Sequence, residues 1–120
     1  MCGILGSINI PVQPALLDLI AHRGPDGEGL EDYPVGNHQV WLGHRRLAIV
    51  DLSANGRQPM ATIDQRHRLV YNGEIYNHSR LRQLLPDGEF RGHSDTETLL
   101  ETLARRGIGA LGDLNGIFAF

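Results

Sequence analysis

Apolar runs of strand length alternate along this chain with helical segments that carry only a stripe of leucines. The strand-like runs cover residues 3–10, 38–51, 68–71 and 117–120, and the helical segments begin at Pro14, after Asn77 and at Ser94. Each such strand or helix has an apolar face that must be buried against another element. The alternation predicts an α+β domain, and 120 residues suffice for one domain or for the front part of one.

Proline, glycine and asparagine mark the ends of the helical segments. The first helix is predicted over 14–22, followed by a loop over 23–29. The second is predicted over 78–85, with Asn77 as its N-cap, and the third from Ser94 to about Gly107. The predicted core consists of Leu16, Leu17, Ile20, Val40, Leu42, Ile49, Val50, Leu81, Leu84, Leu85, Leu99, Leu100, Leu103, Phe118 and Phe120.

Composition excludes several classes of function. Eleven basic residues stand against 14 acidic ones, and a net charge of -3 argues against nucleic acid or an anionic membrane as the main partner. All basic residues are arginine, which excludes lysine chemistry such as Schiff-base formation. A single cysteine forms no internal disulfide, and the sequence shows no signal-peptide pattern and no apolar segment of membrane length. We therefore expect a cytoplasmic protein.

Cys2 is the only cysteine and stands directly after the initiator methionine. This methionine is normally removed when the next residue is small, and its removal would leave Cys2 with a thiol and a free α-amine. Reference pKa values are about 8.5 for a cysteine thiol and about 7.7–8.0 for an α-amine, so a base poised near neutral pH would stand beside a nucleophile. This pairing is typical of N-terminal nucleophile hydrolases.

Two other interpretations of Cys2 remain open on this ground alone. Cysteine often serves as a small buried hydrophobe, which would make its position beside the start incidental. The thiol could also be activated by one of the six histidines, as in papain-like enzymes, although none of them stands in a recognisable local context.

The segment 71–77, YNGEIYN, points to an oxyanion hole. Asn-Gly is a common hairpin turn, but no matching strand follows Gly73 before Asn77 begins a helix. The amide of Asn72 and the backbone N–H of Gly73 supply two donors that could converge on one developing negative charge.

Two further motifs supply charged candidates. In SDTE, Ser94 and Glu97 form a capping-box pattern, which leaves Asp95 at the first helical position to face a cationic ligand. Arg45 and Arg46 point to opposite faces of a strand, so one can be solvated while the other needs an anion, either internal or from a ligand. His44 has no second ligand at a zinc spacing, so we expect a structural histidine and no metal site.

Seven segments in order carry a resemblance to a known family: MCGILG, HRGPDGEG, LGHRRLAIVDLS, QPM, YNGEIYNH, SDTE and LNGIFAF. Together they closely resemble the glutaminase domain of asparagine synthetases, which are class II glutamine amidotransferases. The resemblance spans residues 1–120. It implies the αββα sandwich of N-terminal nucleophile hydrolases and the hydrolysis of L-glutamine to glutamate and ammonia.

The resemblance also implies a role for each site residue. Cys2 corresponds to the nucleophile, with its own amine as general base, and Asn72 and Gly73 correspond to the oxyanion donors. Arg46 corresponds to the residue that binds the substrate α-carboxylate. Asp95 and Glu74 correspond to groups around the α-amine and amide ends of the substrate. Ile49 and Val50 correspond to residues that make backbone contacts with the substrate, and the loop 23–26 is expected to be supporting structure.

Family members continue beyond the motif that ends this chain, so the resemblance implies a domain that is apparently truncated. Their synthetase domain binds ATP and magnesium, whereas the glutaminase step needs no cofactor. Expected partners are L-glutamine and a synthetase domain or chain that accepts ammonia, and homo-oligomer formation is left open. The alternative is a catalytically incomplete module that binds glutamine or a synthetase partner without turnover.

Overall fold

A three-stranded antiparallel sheet carries the first half of the chain. The structure is a computed structural model that describes residues 1–49, 52–85 and 87–120. In this sheet β3 (His38–Arg46) lies between β1 (Gly3–Ile8) and β2 (Gly27–Val35). The register sets Gly3 opposite Arg45 and Gly27 opposite Arg46, so the start of β1, the start of β2 and the end of β3 meet at one end of the sheet.

The second half of the chain forms two short strand pairs and two helices. Strands β4 (Met60–Ala61) and β5 (Arg68–Leu69) pair with each other, and β6 (Asn72–Ile75) pairs with β7 (Gly116–Ala119). Two helices, α2 (His78–Gln83) and α3 (Asp95–Arg106), pack together beside these strands. Asn72 pairs with Ala119, which confirms that Asn72-Gly73 is not a hairpin turn.

One buried cluster unites these elements: Met60, Leu69, Tyr71, Ile75, Leu81, Leu99 and Leu100, with Leu103, Leu114 and Phe118 packed against it. Helix α3 is buried along its first eight residues, and these include polar side chains. The Ser94 hydroxyl accepts from the Glu97 N–H, as the capping pattern predicts, and the Glu97 carboxylate accepts from the N–H groups of Arg91 and Gly92. The start of α3 is thus held firmly beside the core.

Contacts on the two faces of β3 show how the halves stack. Helix α1 (Ala15–Asp18) lies on one face, where Leu17 reaches Gly43, and the buried His44 points to the other face toward the Tyr71 carbonyl. The first sheet therefore lies between α1 and the strand segment that contains Tyr71. Among the described residues, no helix combines the length and the apolar character that crossing a bilayer requires.

Strand β2 and the shortness of α1 differ from the sequence-based expectation. The predicted loop over 23–29 was wrong from Gly27 onward, since β2 begins there. This strand is an edge strand with many exposed polar residues, so it lacks an apolar pattern. The helix predicted over 14–22 is reduced to four residues and a 3₁₀ turn over 21–23, and Leu16 is exposed.

Several predicted core residues are exposed. The strand predicted over 38–51 ends at Arg46, and Ile49 is 71% exposed because the chain leaves the sheet there. Val50, predicted both to pack and to contact substrate, lies outside the described residues. Leu84 and Phe120 are also exposed, since α2 buries only a narrow stripe and β7 ends at Ala119.

Candidate active site

A cavity of about 180 Å³ lies between the first sheet and the β6–α3 region. One wall comes from the N-terminus and the segment that follows β3, and the other from β6 and the start of α3. Every described residue to which the sequence analysis gives a site role lines this cavity: Cys2, Arg46, Ile49, Asn72, Gly73, Glu74 and Asp95. The structure thus brings them together, while their individual roles stay predictions.

The β1–β3 register explains the position of Cys2. Extended by one step, the pairing of Gly3 with Arg45 sets Cys2 opposite Arg46. The half-buried Sγ accepts from the Leu47 N–H at 3.3 Å and lies 3.7 Å from the Leu47 carbonyl oxygen. The thiol is therefore held at the end of the sheet, where it borders the cavity.

The loop before β2 supports the same end of the first sheet. The Asp26 N–H donates to the Arg46 carbonyl at 2.9 Å, and the Asp26 carboxylate accepts from the Ala48 N–H at 2.8 Å. A Cβ at Gly24 would lie 2.5 Å from backbone atoms of Arg45, so only glycine fits there without displacement. These contacts fix the path of residues 46–48 along the cavity.

Arg45 and Arg46 point to opposite faces of β3, as the strand pattern predicts. Arg45 forms ion pairs at 2.6 Å to Asp18 and at 2.8 Å to Glu28. Arg46 points to the opposite face, lines the cavity and donates from Nη1 to the Ser53 carbonyl at 3.0 Å. A guanidinium presents five donors in a planar fork, which is the geometry that carboxylate recognition uses.

The β6–β7 ladder fixes the direction of the Gly73 N–H. One step beyond β6, Tyr76 donates its N–H to the Asn115 carbonyl at 2.8 Å. Hydrogen-bonded and non-hydrogen-bonded pairs alternate along an antiparallel ladder, so the N–H groups of Gly73 and Ile75 point away from β7. They face the edge of β6 that borders the cavity.

Two side chains already accept hydrogen bonds along that edge. The Ile75 N–H donates to Oδ2 of Asp95 at 3.0 Å, and the Tyr71 N–H donates to Oε1 of Gln58 at 2.6 Å. The Gly73 N–H lies between these two groups on the same edge and lines the cavity. Its position on this edge directs the Gly73 N–H toward the cavity.

Asn72 supplies the second predicted donor and is half-buried. Among residues 1–49, 52–85 and 87–120, nothing donates to its buried Oδ1 atom. An unsatisfied buried amide oxygen is unfavourable, which makes this side chain sensitive to what occupies the adjacent cavity.

Asp95 is buried and its carboxylate already accepts three hydrogen bonds from the protein. It is 5% exposed, and it accepts from the Tyr71 hydroxyl at 2.8 Å, from Ile75 N–H and from the Thr96 N–H at 2.9 Å. Burial, aided by this bond to Asp95, raises the pKa of Tyr71 far above its ordinary value, so the hydroxyl stays a donor. A carboxylate has about four acceptor positions, which leaves capacity for one ligand cation.

Ile49 and Glu74 lie at the mouth of the cavity, where both are exposed. Met1 also reaches the mouth and is 62% exposed. Among the described residues, no group of three or more histidine, cysteine, aspartate or glutamate side chains lies close enough to hold a metal ion.

A family model for the glutamine amidotransferase domain matches residues 1–120. This chain belongs to that family. The cavity described above joins a cysteine, an arginine and a buried carboxylate with Asn72 and Gly73.

Similar proteins place this glutamine amidotransferase domain within longer chains. An amidase of Gibberella zeae is 43% identical over 105 residues, which cover 87% of this chain and 15% of the amidase. A putative glutamine-hydrolysing asparagine synthetase of Methanocaldococcus jannaschii is 36% identical over 140 residues, covering 100% of this chain and 27% of its own length. Glutamine-hydrolysing asparagine synthetase B of Escherichia coli is 38% identical over 129 residues, which cover 100% of this chain and 22% of the synthetase. The domain therefore spans 15 to 27% of the length of these three relatives.

Sequence reasoning missed Tyr71 and Gln58 as parts of the site. Both line the cavity of the amidotransferase domain, and their side chains contact Asp95 and the Tyr71 backbone respectively. Both residues lie within motifs of the resemblance, Tyr71 in YNGEIYNH and Gln58 in QPM, but neither was given a role, since spacing alone does not reveal a contact between residues 13 or 24 positions apart.

His44 predicts a pH dependence of stability in this amidotransferase domain. Its side chain is 1% exposed, and burial lowers its pKa from 6.5 to about 4, with a hydrogen bond to the Tyr71 carbonyl opposing the shift and the charge of Arg46 adding to it. Between these pH values the unfolded state binds more protons than the folded state. The free energy of unfolding should therefore fall on acidification through this window, by up to about 3 kcal/mol.

Urea unfolding at pH 7 and pH 4.5 measures this loss. The variant His44→Leu should lose this part of the pH dependence, whereas His22→Leu, which changes an exposed histidine, should keep it. An acid-side loss that is the same in wild type and His44→Leu would assign it to other groups.

Proposed function

We propose that the protein hydrolyses the side-chain amide of L-glutamine to glutamate and ammonia, with Cys2 as nucleophile. The convergence of Cys2, the Asn72–Gly73 donors, Arg46 and Asp95 on one cavity carries this proposal. Glutamine is a zwitterion with a neutral amide, so its site needs a cation, an anion, two donors and a nucleophile. The cavity contains each of these groups.

The acylation step begins after Met1 has been removed. The α-amine of Cys2 takes the thiol proton, and Sγ attacks the carbonyl carbon of the substrate amide. The amide of Asn72 and the N–H of Gly73 stabilise the negative charge on the carbonyl oxygen. The C–N bond then breaks, the protonated amine returns the proton to the leaving nitrogen, and ammonia departs from a thioester.

The second step hydrolyses that thioester. Water loses a proton to the same α-amine while its oxygen attacks the thioester carbonyl, and the same donors again stabilise the oxyanion. The C–S bond breaks, the thiol regains its proton, and glutamate is released. The reaction needs no metal or organic cofactor, because the nucleophile, the base and the oxyanion donors all belong to the chain.

Arg46 and Asp95 are proposed to bind the two charged ends of the substrate. The guanidinium of Arg46 would hold the α-carboxylate, and Asp95 would accept from the α-ammonium group. Glu74, Ile49 and Val50 complete the proposed contacts, with Glu74 near the amide end.

Arg46→Met should raise KM for glutamine about tenfold to a hundredfold, since a charged hydrogen bond contributes about 1.5–3 kcal/mol. Arg45→Met is the matched control, because the side chain of Arg45 points to the other face and pairs with Asp18 and Glu28. The control should lower thermal stability modestly and leave KM near the wild-type value. Steady-state kinetics decide the matter, and an unchanged KM in Arg46→Met would remove this residue from the substrate site.

Selective labelling of the thiol tests the proposed function. Purified protein should release glutamate and ammonia from glutamine in equal amounts, and intact mass should show the loss of Met1. Because Cys2 is the only cysteine, iodoacetamide can alkylate no other thiol, and saturating glutamine should slow both alkylation and inactivation. Full activity after complete alkylation would refute the nucleophile assignment. Glutamine binding without ammonia release would instead favour a binding module.

The wider setting of the domain is also proposed. The stacking of α1, the first sheet, the Tyr71 strand segment and α3 supports an αββα sandwich, of which this chain would be the N-terminal part of a type-2 glutamine amidotransferase domain. The ammonia would pass to a synthetase domain or chain that forms an amide, as the names of two relatives suggest. ATP and magnesium are expected only in that synthetase part. Assembly with a second copy of the chain is compatible with this arrangement.

A further inference from the structure

Gln58 joins separate segments of the protein from a buried position. The residue is 7% exposed and lies just before β4. Its Oε1 accepts from the Tyr71 N–H at 2.6 Å, and its Nε2 donates to the Thr96 hydroxyl at 3.5 Å. A buried amide that is used at both ends restrains the segments it connects, here the approach to β6 and the first turn of α3.

The backbone of Gln58 is held against the first sheet. A Cβ at Gly29 in β2 would overlap the Gln58 carbonyl oxygen, so these two backbone segments approach as closely as glycine permits. Gln58 therefore links the sheet that carries Cys2 to the strand that carries the oxyanion donors.

The register of β6 shows what this link controls. Successive N–H groups on one edge of a strand are about 6.6–6.8 Å apart, and here they belong to Tyr71, Gly73 and Ile75. Gln58 holds the first and Asp95 holds the third. The direction of the Gly73 N–H is thus fixed from both sides.

We propose that Gln58 is a positioning residue that aims the Asn72 and Gly73 donors at the substrate carbonyl. The inference rests on the proposed function, since it assigns Gln58 a part in the same oxyanion hole. Gln58 acts through the Tyr71 N–H and does not itself contact the oxygen on which negative charge develops during the reaction. Its loss therefore affects stabilisation of the transition state more than binding of the two charged ends of glutamine.

Gln58→Met removes the acceptor and keeps a side chain of similar length. Complete loss of one oxyanion donor costs about 100-fold to 1,000-fold in kcat, and a displaced donor should cost less, about tenfold, with KM changed less than about twofold. Gln58→Glu keeps an acceptor for the Tyr71 N–H in either protonation state, and the Thr96 hydroxyl can donate to it. This conservative variant should keep kcat within about threefold of wild type.

The matched control is Gln83→Met, which makes the same replacement at an exposed position near the end of α2. Steady-state kinetics on all four proteins give the division between kcat and KM. A fall in kcat that the glutamate variant does not recover, or a loss confined to KM, would overturn the positioning role.

Amide NMR separates this inference from the proposed function. Gln58→Met should speed hydrogen exchange at the Tyr71 amide, which loses its acceptor, shift the ¹H–¹⁵N resonance of the Gly73 amide, and leave the β1–β3 ladder unchanged. If wild type proves inactive toward glutamine, the proposed function fails, and the shift of the Gly73 resonance still decides whether Gln58 orients Gly73. An unchanged Gly73 amide, or a Gln58→Met chain that no longer folds, would make Gln58 a purely structural residue.

Discussion

Glutamate formation is expected to stop when Cys2 is replaced by alanine. Alanine is also small enough to permit removal of Met1, so the variant keeps a free α-amine at residue 2 and loses only the thiol. Without Sγ no thioester forms, and loss of a catalytic nucleophile typically lowers kcat by roughly 10⁴-fold to 10⁶-fold. Coupled detection of glutamate and ammonia measures the residual rate.

Binding provides the control for this variant. Arg46 and Asp95 are unchanged in Cys2→Ala, so the variant should still bind glutamine. Calorimetry should give it a Kd close to that of the wild type, measured for the wild type under conditions that prevent turnover. Equal rates of glutamate formation in the two proteins would rule out Cys2 as nucleophile. A variant that neither binds glutamine nor melts cooperatively would show damage to the fold, and thermal melting detects this directly.

Local sequence signals predicted the parts of the fold that bury apolar stripes. Helix α3 begins at Asp95 after the Ser94 cap and buries Leu99 and Leu100, as its pattern predicts. Strand β2 went undetected because an edge strand with exposed polar residues has no alternating pattern to detect. Ile49 shows the opposite error, since its apolar character suggested packing and the chain instead leaves the sheet before it.

The residues that line the cavity were predicted better than the hydrogen bonds between them. Motifs and family resemblance named Cys2, Arg46, Asn72 and Asp95, and the structure places all four around one cavity. The motif QPM contains Gln58 but gave it no role, because its proposed role depends on a hydrogen bond to a backbone N–H 13 residues away. Contacts of this kind arise from the way strands stack, and an individual sequence does not encode them as a local pattern.

Gly73→Ala is expected to destabilise the fold and to abolish glutaminase activity. The new Cβ would overlap the Ile117 carbonyl oxygen and lie 2.6 Å from Cα of Phe118. Both atoms belong to the β7 backbone, so no side-chain rotation relieves the contact and β6 must separate from β7. Overpacking typically costs about 1–3 kcal/mol, and a backbone contact this close belongs at the upper end of that range.

Gly112→Ala is the matched control, because a Cβ at Gly112 meets nothing within 4 Å. Thermal or urea unfolding should show a large loss of stability in Gly73→Ala and almost none in Gly112→Ala. Activity adds a second criterion, since displacement of β6 also moves the Gly73 N–H away from the cavity. If Gly73→Ala keeps both its melting temperature and its kcat, the close β6–β7 approach and the oxyanion assignment that depends on it are both wrong.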